Sequence, residues 1–187
     1  NHQRIGLAIA ENPEGPWKRS AKPLIDVEND GGLDAVMCSN PTVTEMPDGR
    51  YIMIYKAVAD KNPAPFYGPV HHRVAFSDSP EGPFLRHPEP VFNVSGAGFP
   101  AEDPFVFTYS GCLYCLLKDN GKFYSENERS IVIFESENGI DWKVSDNPVF
   151  VSREIETESG NIKKFFRLER PQIFFEGGKP EYFFCAV

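Results

Sequence analysis

Two short phrases recur out of phase along these 187 residues, and any fold must accommodate every copy of both. The first runs Arg4-Ile5-Gly6-Leu7-Ala8 into Asn12-Pro13-Glu14-Gly15-Pro16-Trp17, and again Arg73-Val74-Ala75-Phe76-Ser77 into Ser79-Pro80-Glu81-Gly82-Pro83-Phe84. A looser copy runs from Arg129 to Asn138-Gly139-Ile140-Asp141-Trp142. The second reads Ser39-Asn40-Pro41-Thr42-Val43, Glu102-Asp103-Pro104-Phe105-Val106 and Glu169-Arg170-Pro171-Gln172-Ile173, its prolines 63 and 67 residues apart. Self-similarity at a nearly fixed period marks repeated supersecondary units.

Those units are made of strands. Short runs of β-branched and aromatic residues at 4–10, 41–46, 50–58, 72–78, 103–109, 112–118, 129–136, 170–176 and 181–187 alternate with turn formers. Pro47-Asp48-Gly49, Asp119-Asn120-Gly121 and Glu176-Gly177-Gly178 each offer a glycine for a tight hairpin. No stretch keeps a 3.6-residue apolar period, so helix is not expected. Set in phase, the two phrases describe a unit of four antiparallel strands, and such units repeated about an axis make a β-propeller. The parse gives blade pieces 1–25, 39–92, 102–150 and 169–187 of a single propeller domain. That is about three blades, cut at both ends, so the missing blades come from the same or another chain. A β-sandwich also uses short strands at regular spacing, but its strands are not copies of one another. Recurrence of Trp17, Phe84 and Trp142 at one place in each unit reads as packing between blades. Ser152–Lys164 reads as a solvated loop.

A net charge of −8 argues against nucleic acid and anionic membrane as partners. No apolar run approaches the roughly 20 residues that span a bilayer, so membrane insertion is not expected. Cys112 and Cys115 resemble a metal-binding pair, but in a strand positions i and i+3 face opposite sides, so both read as buried, inert thiols.

Chemistry is expected where inner strands begin, because these converge near the propeller axis. The residues there are Asn40, Glu102 with Asp103, and Glu169 with Arg170. Carboxylates are unusual at the heads of buried strands, where apolar residues are preferred. Two such blades facing one pocket supply what glycoside hydrolysis needs, a protonating carboxyl group and a second carboxylate. By strand alternation Glu102 points away from the channel if Asp103 points in. Arg170 offers a rigid fork of donors for a sugar hydroxyl or carboxylate, or for Glu102. Lys61–Gly68 is a proline-rich insertion present in one blade only, and such insertions shape a pocket rim. Its Phe66 and Tyr67 are candidate substrate-stacking residues.

On these residues the chain resembles the five-bladed propeller glycosidases of the furanosidase superfamily: glycoside hydrolase family 43, with relatives in families 32 and 117. The resemblance extends over all 187 residues through the blade period and the Pro-Glu-Gly-Pro-aromatic turn. It implies that Asp103, in Asp103-Pro104-Phe105-Val106-Phe107, modulates the acid. It implies that Glu169, in Glu169-Arg170-Pro171-Gln172-Ile173-Phe174-Phe175, is the proton donor. The family's base would lie upstream of Asn1. Asn40, at the head of the intervening blade, becomes a substrate ligand or a support for one. Family 117 relatives use a histidine in acid catalysis, which draws attention to His71 and His72; the resemblance would put that histidine where this chain has Leu168. His71 is read as a surface residue and His72 as a candidate substrate contact. No cofactor is required, although a single structural calcium fits some members. The implied activity is cleavage of a plant or algal oligosaccharide in the periplasm or outside the cell. A carbohydrate-binding propeller without catalysis is the alternative; a protein-interaction propeller fits the acidic blade heads less well.

Overall fold

Period-two alternation between turn formers commits a chain to antiparallel hairpins. The computed structural model, which describes residues 3–28, 31–62 and 68–187, is built of strands with no helix among the described residues. Strands β1 (Ala8–Ile9) and β2 (Lys18–Arg19) form one small sheet. Then follow β3 (Met37–Glu45), β4 (Tyr51–Val58), β5 (Val70–Ser77) and β6 (Leu85–Arg86), paired in chain order as a four-stranded sheet. A second such sheet holds β7 (Ala101–Tyr109), β8 (Cys112–Asp119), β9 (Ile131–Ser136) and β10 (Lys143–Val151), again in chain order. A small hairpin, β11 (Glu154–Glu156) with β12 (Ile162–Lys164), precedes a final pair, β13 (Glu169–Glu176) with β14 (Lys179–Ala186).

The sheets stack face to face, as the blades of a β-propeller do. One face of the β3–β6 sheet packs Met53, Tyr55 and Ala75 against Ile5 and Ile25, with Phe84 in the seam. Its other face sends Ile52, Ile54 and Val74 against Val106, Leu113, Leu117 and Phe134 of the next sheet, with Trp142 at the edge. The far face of that sheet places Phe107, Leu116 and Ile131 against Leu168, Ile173 and Phe183. A strand buried on both faces needs apolar residues at consecutive positions, which accounts for the Tyr51-Ile52-Met53-Ile54-Tyr55 run. Turns after the third strands press on the preceding blade. A Cβ on Gly139 would lie 2.5 Å from Ile52 Cδ1, and one on Gly82 2.8 Å from Leu24 Cδ1. Trp17 lies exposed, so the inter-blade role read for the three aromatics is filled among the described residues by Phe84 and Trp142.

The inner strands β3, β7 and β13 lie side by side. Thr42 Oγ1 accepts a hydrogen bond from the Val106 amide at 3.0 Å, and Thr108 Oγ1 donates to the Glu45 carbonyl at 2.5 Å. This places the three Pro-bearing strand heads together.

The turn joining β7 to β8 is Ser110-Gly111, between the strands read at 103–109 and 112–118, with φ of 50° and 80°, the left-handed pair a two-residue hairpin needs. Three details differ from the sequence expectations. Asp119-Asn120-Gly121 instead opens a long connection, folded around the Asp119 carboxylate by the amides of Gly121, Phe123, Tyr124 and Ser125. Ser152–Lys164 contains the β11–β12 hairpin. Cys112 is exposed at the start of β8 while Cys115 is buried, so only Cys115 of that pair is an enclosed thiol.

Candidate active site

The repeated x-Pro phrase forms the same backbone irregularity three times. Asn40, Asp103 and Arg170 have φ of 49°, 54° and 54°. Each lies in a register shift, between Ser39 and Thr42, Glu102 and Phe105, or Glu169 and Gln172. Proline cannot donate to the ladder, and a bulge at that point bends the strand and re-aims side chains. Left-handed backbone at a non-glycine residue costs on the order of 1–2 kcal/mol. That strain recurs at the head of each inner strand.

The bulges bring two linked clusters together. In the first, Asp103 is 7% exposed and bridges its neighbours. Its Oδ1 accepts from Asn40 Nδ2 at 2.9 Å, and its Oδ2 accepts from the Arg170 amide at 3.1 Å. Asp103 thereby ties the heads of three blades. In the second cluster Lys118 Nζ lies 2.9 Å from Glu102 Oε2 and 3.0 Å from Glu169 Oε1. Lys56 Nζ reaches Glu102 Oε1 at 3.1 Å, and Arg167 Nη1 is 3.5 Å from Glu169 Oε1. Burial works to raise the Glu102 pKa, but the hydrogen bond and charge of Lys118, with Lys56 behind them, hold it below the usual range. Burial likewise works to lower the Lys118 pKa, and its contacts with Glu102 and Glu169 outweigh that and keep it raised.

Glu102 therefore does not turn away as simple alternation predicts. The bulge interrupts the period-two rule between Glu102 and Phe105, and Glu102 joins the charged cluster beside Glu169.

Glu169, Lys118 and Arg167 open onto a cleft of about 310 Å³, closed by Asn120, Arg129 and the rings of Phe99 and Phe166. Asn40, Asp103 and Arg170 are not among its walls. A larger groove of about 720 Å³ is lined by Cys112, Glu135 and Lys143, at the end of the second sheet away from the strand heads. His72 is 2% exposed, packed edge-on to Phe92 at 6.2 Å, with Nε2 lacking a hydrogen-bond partner. Burial first, then the Lys56 charge, pushes its pKa down to about 3, so it is held neutral. Phe66 and Tyr67 lie outside the described residues. Among the described residues no group of three His, Cys, Asp or Glu side chains gathers to hold a metal.

Lys56, Lys118, Arg129 and Arg167 were missed in the sequence. One signal was available. Lys56 pairs across the ladder with Ser39, and Lys118 with Glu102, the same position in two successive units. A lysine recurring at one phase of an otherwise apolar strand is a charge expecting a partner.

The stacked four-stranded sheets are those of a β-propeller, and the known proteins to which the chain is similar include glycoside hydrolases with this fold. No family model matches the chain. The beta-xylosidase of Xylanibacter ruminicola is 27% identical over 137 residues, which is 71% of this chain and 38% of that protein. The chain thus spans well under half the length of this curated relative. Among solved structures, the GH43_1 enzyme from Xanthomonas citri in complex with xylotriose superposes with a TM-score of 0.60 and 18% identity, over 92% of this chain and 54% of that one. A family 117 glycoside hydrolase of the marine bacterium Zobellia galactanivorans superposes with a TM-score of 0.56 and 19% identity, over 79% and 38%. In fold, the chain resembles glycoside hydrolases of families 43 and 117.

Proposed function

We propose that the protein is a glycosidase of family 43 type, this chain supplying the acid-bearing side of a five-bladed propeller. The observation that carries the reading is the convergence of Glu169 and Glu102 on one ammonium, with Glu169 open to the cleft. Glu169 is the proton donor to the leaving oxygen. A donor must be neutral when it acts. Lys118 has a second carboxylate within reach, so Glu102 retains the ammonium when Glu169 carries the proton. Asp103 is a positioning residue. Its bond to the Arg170 amide fixes the head of β13 and so the direction of Glu169, and Asn40 holds Asp103 in turn. The second carboxylate of the reaction, the base, belongs by the family pattern to another inner strand of the propeller. The remaining blades belong to the same polypeptide or a second chain, and the exposed rings of Phe174, Tyr182 and Phe184 suit the covering of that face. The substrate class is a plant or algal oligosaccharide; the xylotriose bound by the Xanthomonas citri enzyme and the name of the Xylanibacter relative recommend xylo-oligosaccharides first. Such a substrate suits a periplasmic or secreted location, and no nucleic acid, membrane or cofactor enters the reading.

A binding propeller without catalysis is favoured by one feature, the engagement of Glu169 by both Lys118 and Arg167. Turnover by the intact protein separates the two. With a panel of aryl glycosides and xylo-oligosaccharides, Glu169→Gln is expected to lose about a hundredfold or more in kcat, the scale of general acid catalysis, and to keep its affinity. Activity within about tenfold of wild type would remove Glu169 from the role of acid. Binding without turnover in the wild type would make the protein a carbohydrate-binding propeller.

A further inference from the structure

The chain carries a net charge of −8, yet its cleft is basic: Lys118, Arg129 and Arg167 face the single carboxylate of Glu169. Lys118 is already engaged by Glu102 and Glu169. The two arginines are held more loosely, each by one long ion pair. Arg129 Nε stands 3.5 Å from Glu128 Oε1, and Arg167 Nη1 stands 3.5 Å from Glu169 Oε1. Neither guanidinium donates a hydrogen bond within 3.5 Å to any described residue. Each has five N–H donors in a planar fork.

These arginines are also held in place. Arg153 donates from Nε to the Glu128 carbonyl and from Nη1 to the Phe166 carbonyl, both at 3.1 Å. One guanidinium thus clamps the backbone immediately before Arg129 and immediately before Arg167, although the two lie in segments far apart in sequence. Arg129 is further set by a left-handed φ of 58°, and its guanidinium lies 5.1 Å over the Phe166 ring. Phe166 is 74% exposed, an aromatic face presented to the cleft. Arginine stacked on a ring keeps its edge donors for a planar or tetrahedral oxyanion. A cationic cleft on an acidic protein concentrates anions locally.

The geometry points to a substrate whose sugar carries an acidic group, a uronate carboxylate or a sulfate ester, received between Arg129 and Arg167 beside Glu169. This rests on the glycosidase reading for the identity of the ligand as a carbohydrate. The two sources share one chemistry, an oxyanion on a sugar ring, and separate in the test.

Affinities are measured by calorimetry with intact protein carrying Glu169→Gln, which holds substrate without turnover. One arm compares glucuronosyl-xylotriose with xylotetraose; the other compares a sulfated galacto-oligosaccharide with its desulfated counterpart. In at least one arm the acidic member is expected to bind about tenfold more tightly, a difference of about 1.4 kcal/mol. That preference should collapse at about 0.5 M salt, and it should vanish on adding Arg129→Met and Arg167→Met, the acidic member losing about tenfold more affinity than the neutral one. The arm with the preference identifies carboxylate or sulfate. Equal or weaker binding of the acidic member in both arms overturns the inference, as does a preference that survives loss of both arginines. Should the double variant unfold, Arg167→Met alone must still reduce the preference. Selective binding of the acidic sugar with no cleavage by wild type would leave the anion site standing and the glycosidase reading fallen. Cleavage of neutral sugars without acidic preference would do the reverse.

Discussion

Two charged clusters lie between blades of this molecule, and they are closed to different degrees. The first centres on Asp34, fully buried between the first two sheets. Its Oδ2 receives the Tyr55 hydroxyl at 2.9 Å and faces Arg86 Nε at 3.2 Å and Arg73 Nη1 at 3.3 Å, while the Glu28 amide bonds Oδ1 at 3.3 Å. Arg73 Nη1 also lies 2.7 Å from Glu28 Oε1; both its contacts are ion pairs whose angles fall short of hydrogen bonds. Burial first, then the nearby Asp34 carboxylate, pushes the Cys38 thiol up to about 12. The second cluster, around Lys118, uses the same ingredients but opens on one side to the cleft. A buried charge surrounded on all sides contributes only to holding blades together. A charge with one unmet direction can act on something that arrives. Closure, not charge, separates the Asp34 cluster from the one proposed to act.

The sharpest break in that contrast comes from Asp34→Ala. It leaves Arg86 without its carboxylate and buried Arg73 with Glu28 alone, and removal of one partner from a buried pair costs about 3–5 kcal/mol. Denaturant unfolding should show that loss; a change under about 1 kcal/mol would mean that the cluster is solvated after all. Lys118→Met should do the opposite, mainly altering chemistry. Glu102 and Glu169 would face each other without their shared ammonium, and like charges favour protonation. The alkaline limb of the pH–rate profile, which reports a group that must be protonated, should move to higher pH with kcat reduced about tenfold; an unmoved limb would sever Lys118 from Glu169's role. Asp103→Asn keeps the shape but weakens the grip on the Arg170 amide, so its kcat loss should be smaller than that of Glu169→Gln.

His72 sharpens the comparison through pH. Its folded pKa, about 3, lies below the ordinary 6.5, so the unfolded chain binds the proton first. Stability is therefore full above about pH 6.5 and falls as pH drops toward 3, by about 2 kcal/mol at pH 5. Glu102, with its pKa held below 4.5, adds a loss in the same direction only at lower pH. His72→Phe should flatten the slope between pH 6.5 and 5; an unchanged slope would show that the imidazole is not enclosed. The smallest effect belongs to an open pair. Lys164 and Glu154 meet at 2.6 Å on the exposed β11–β12 hairpin, and Lys164→Ala should shift Tm by about 1 °C or less.

Much of this architecture is legible in the chain itself. The proline phrases locate the heads of β3, β7 and β13, and they do so because proline's missing donor and a left-handed neighbour leave a local mark. The tight hairpin read at Asp119-Asn120-Gly121 did not form because the Asp119 carboxylate gathers four following amides and folds the segment into a long connection. Glu102 was misdirected because alternation holds only where the ladder is regular. Arg153 was passed over inside an apparently solvated loop, since a clamp on two distant carbonyls leaves no pattern among sequence neighbours.

By itself the sequence determined the period, the strands and the residues that begin each inner strand, because turn chemistry and side-chain alternation act between near neighbours. Only the tertiary structure decided which charges meet. Lys118 and Glu169 stand 51 residues apart, Asn40 and Asp103 63. Their interaction depends on distance in space and on exclusion of water, and both exist only once the blades have stacked.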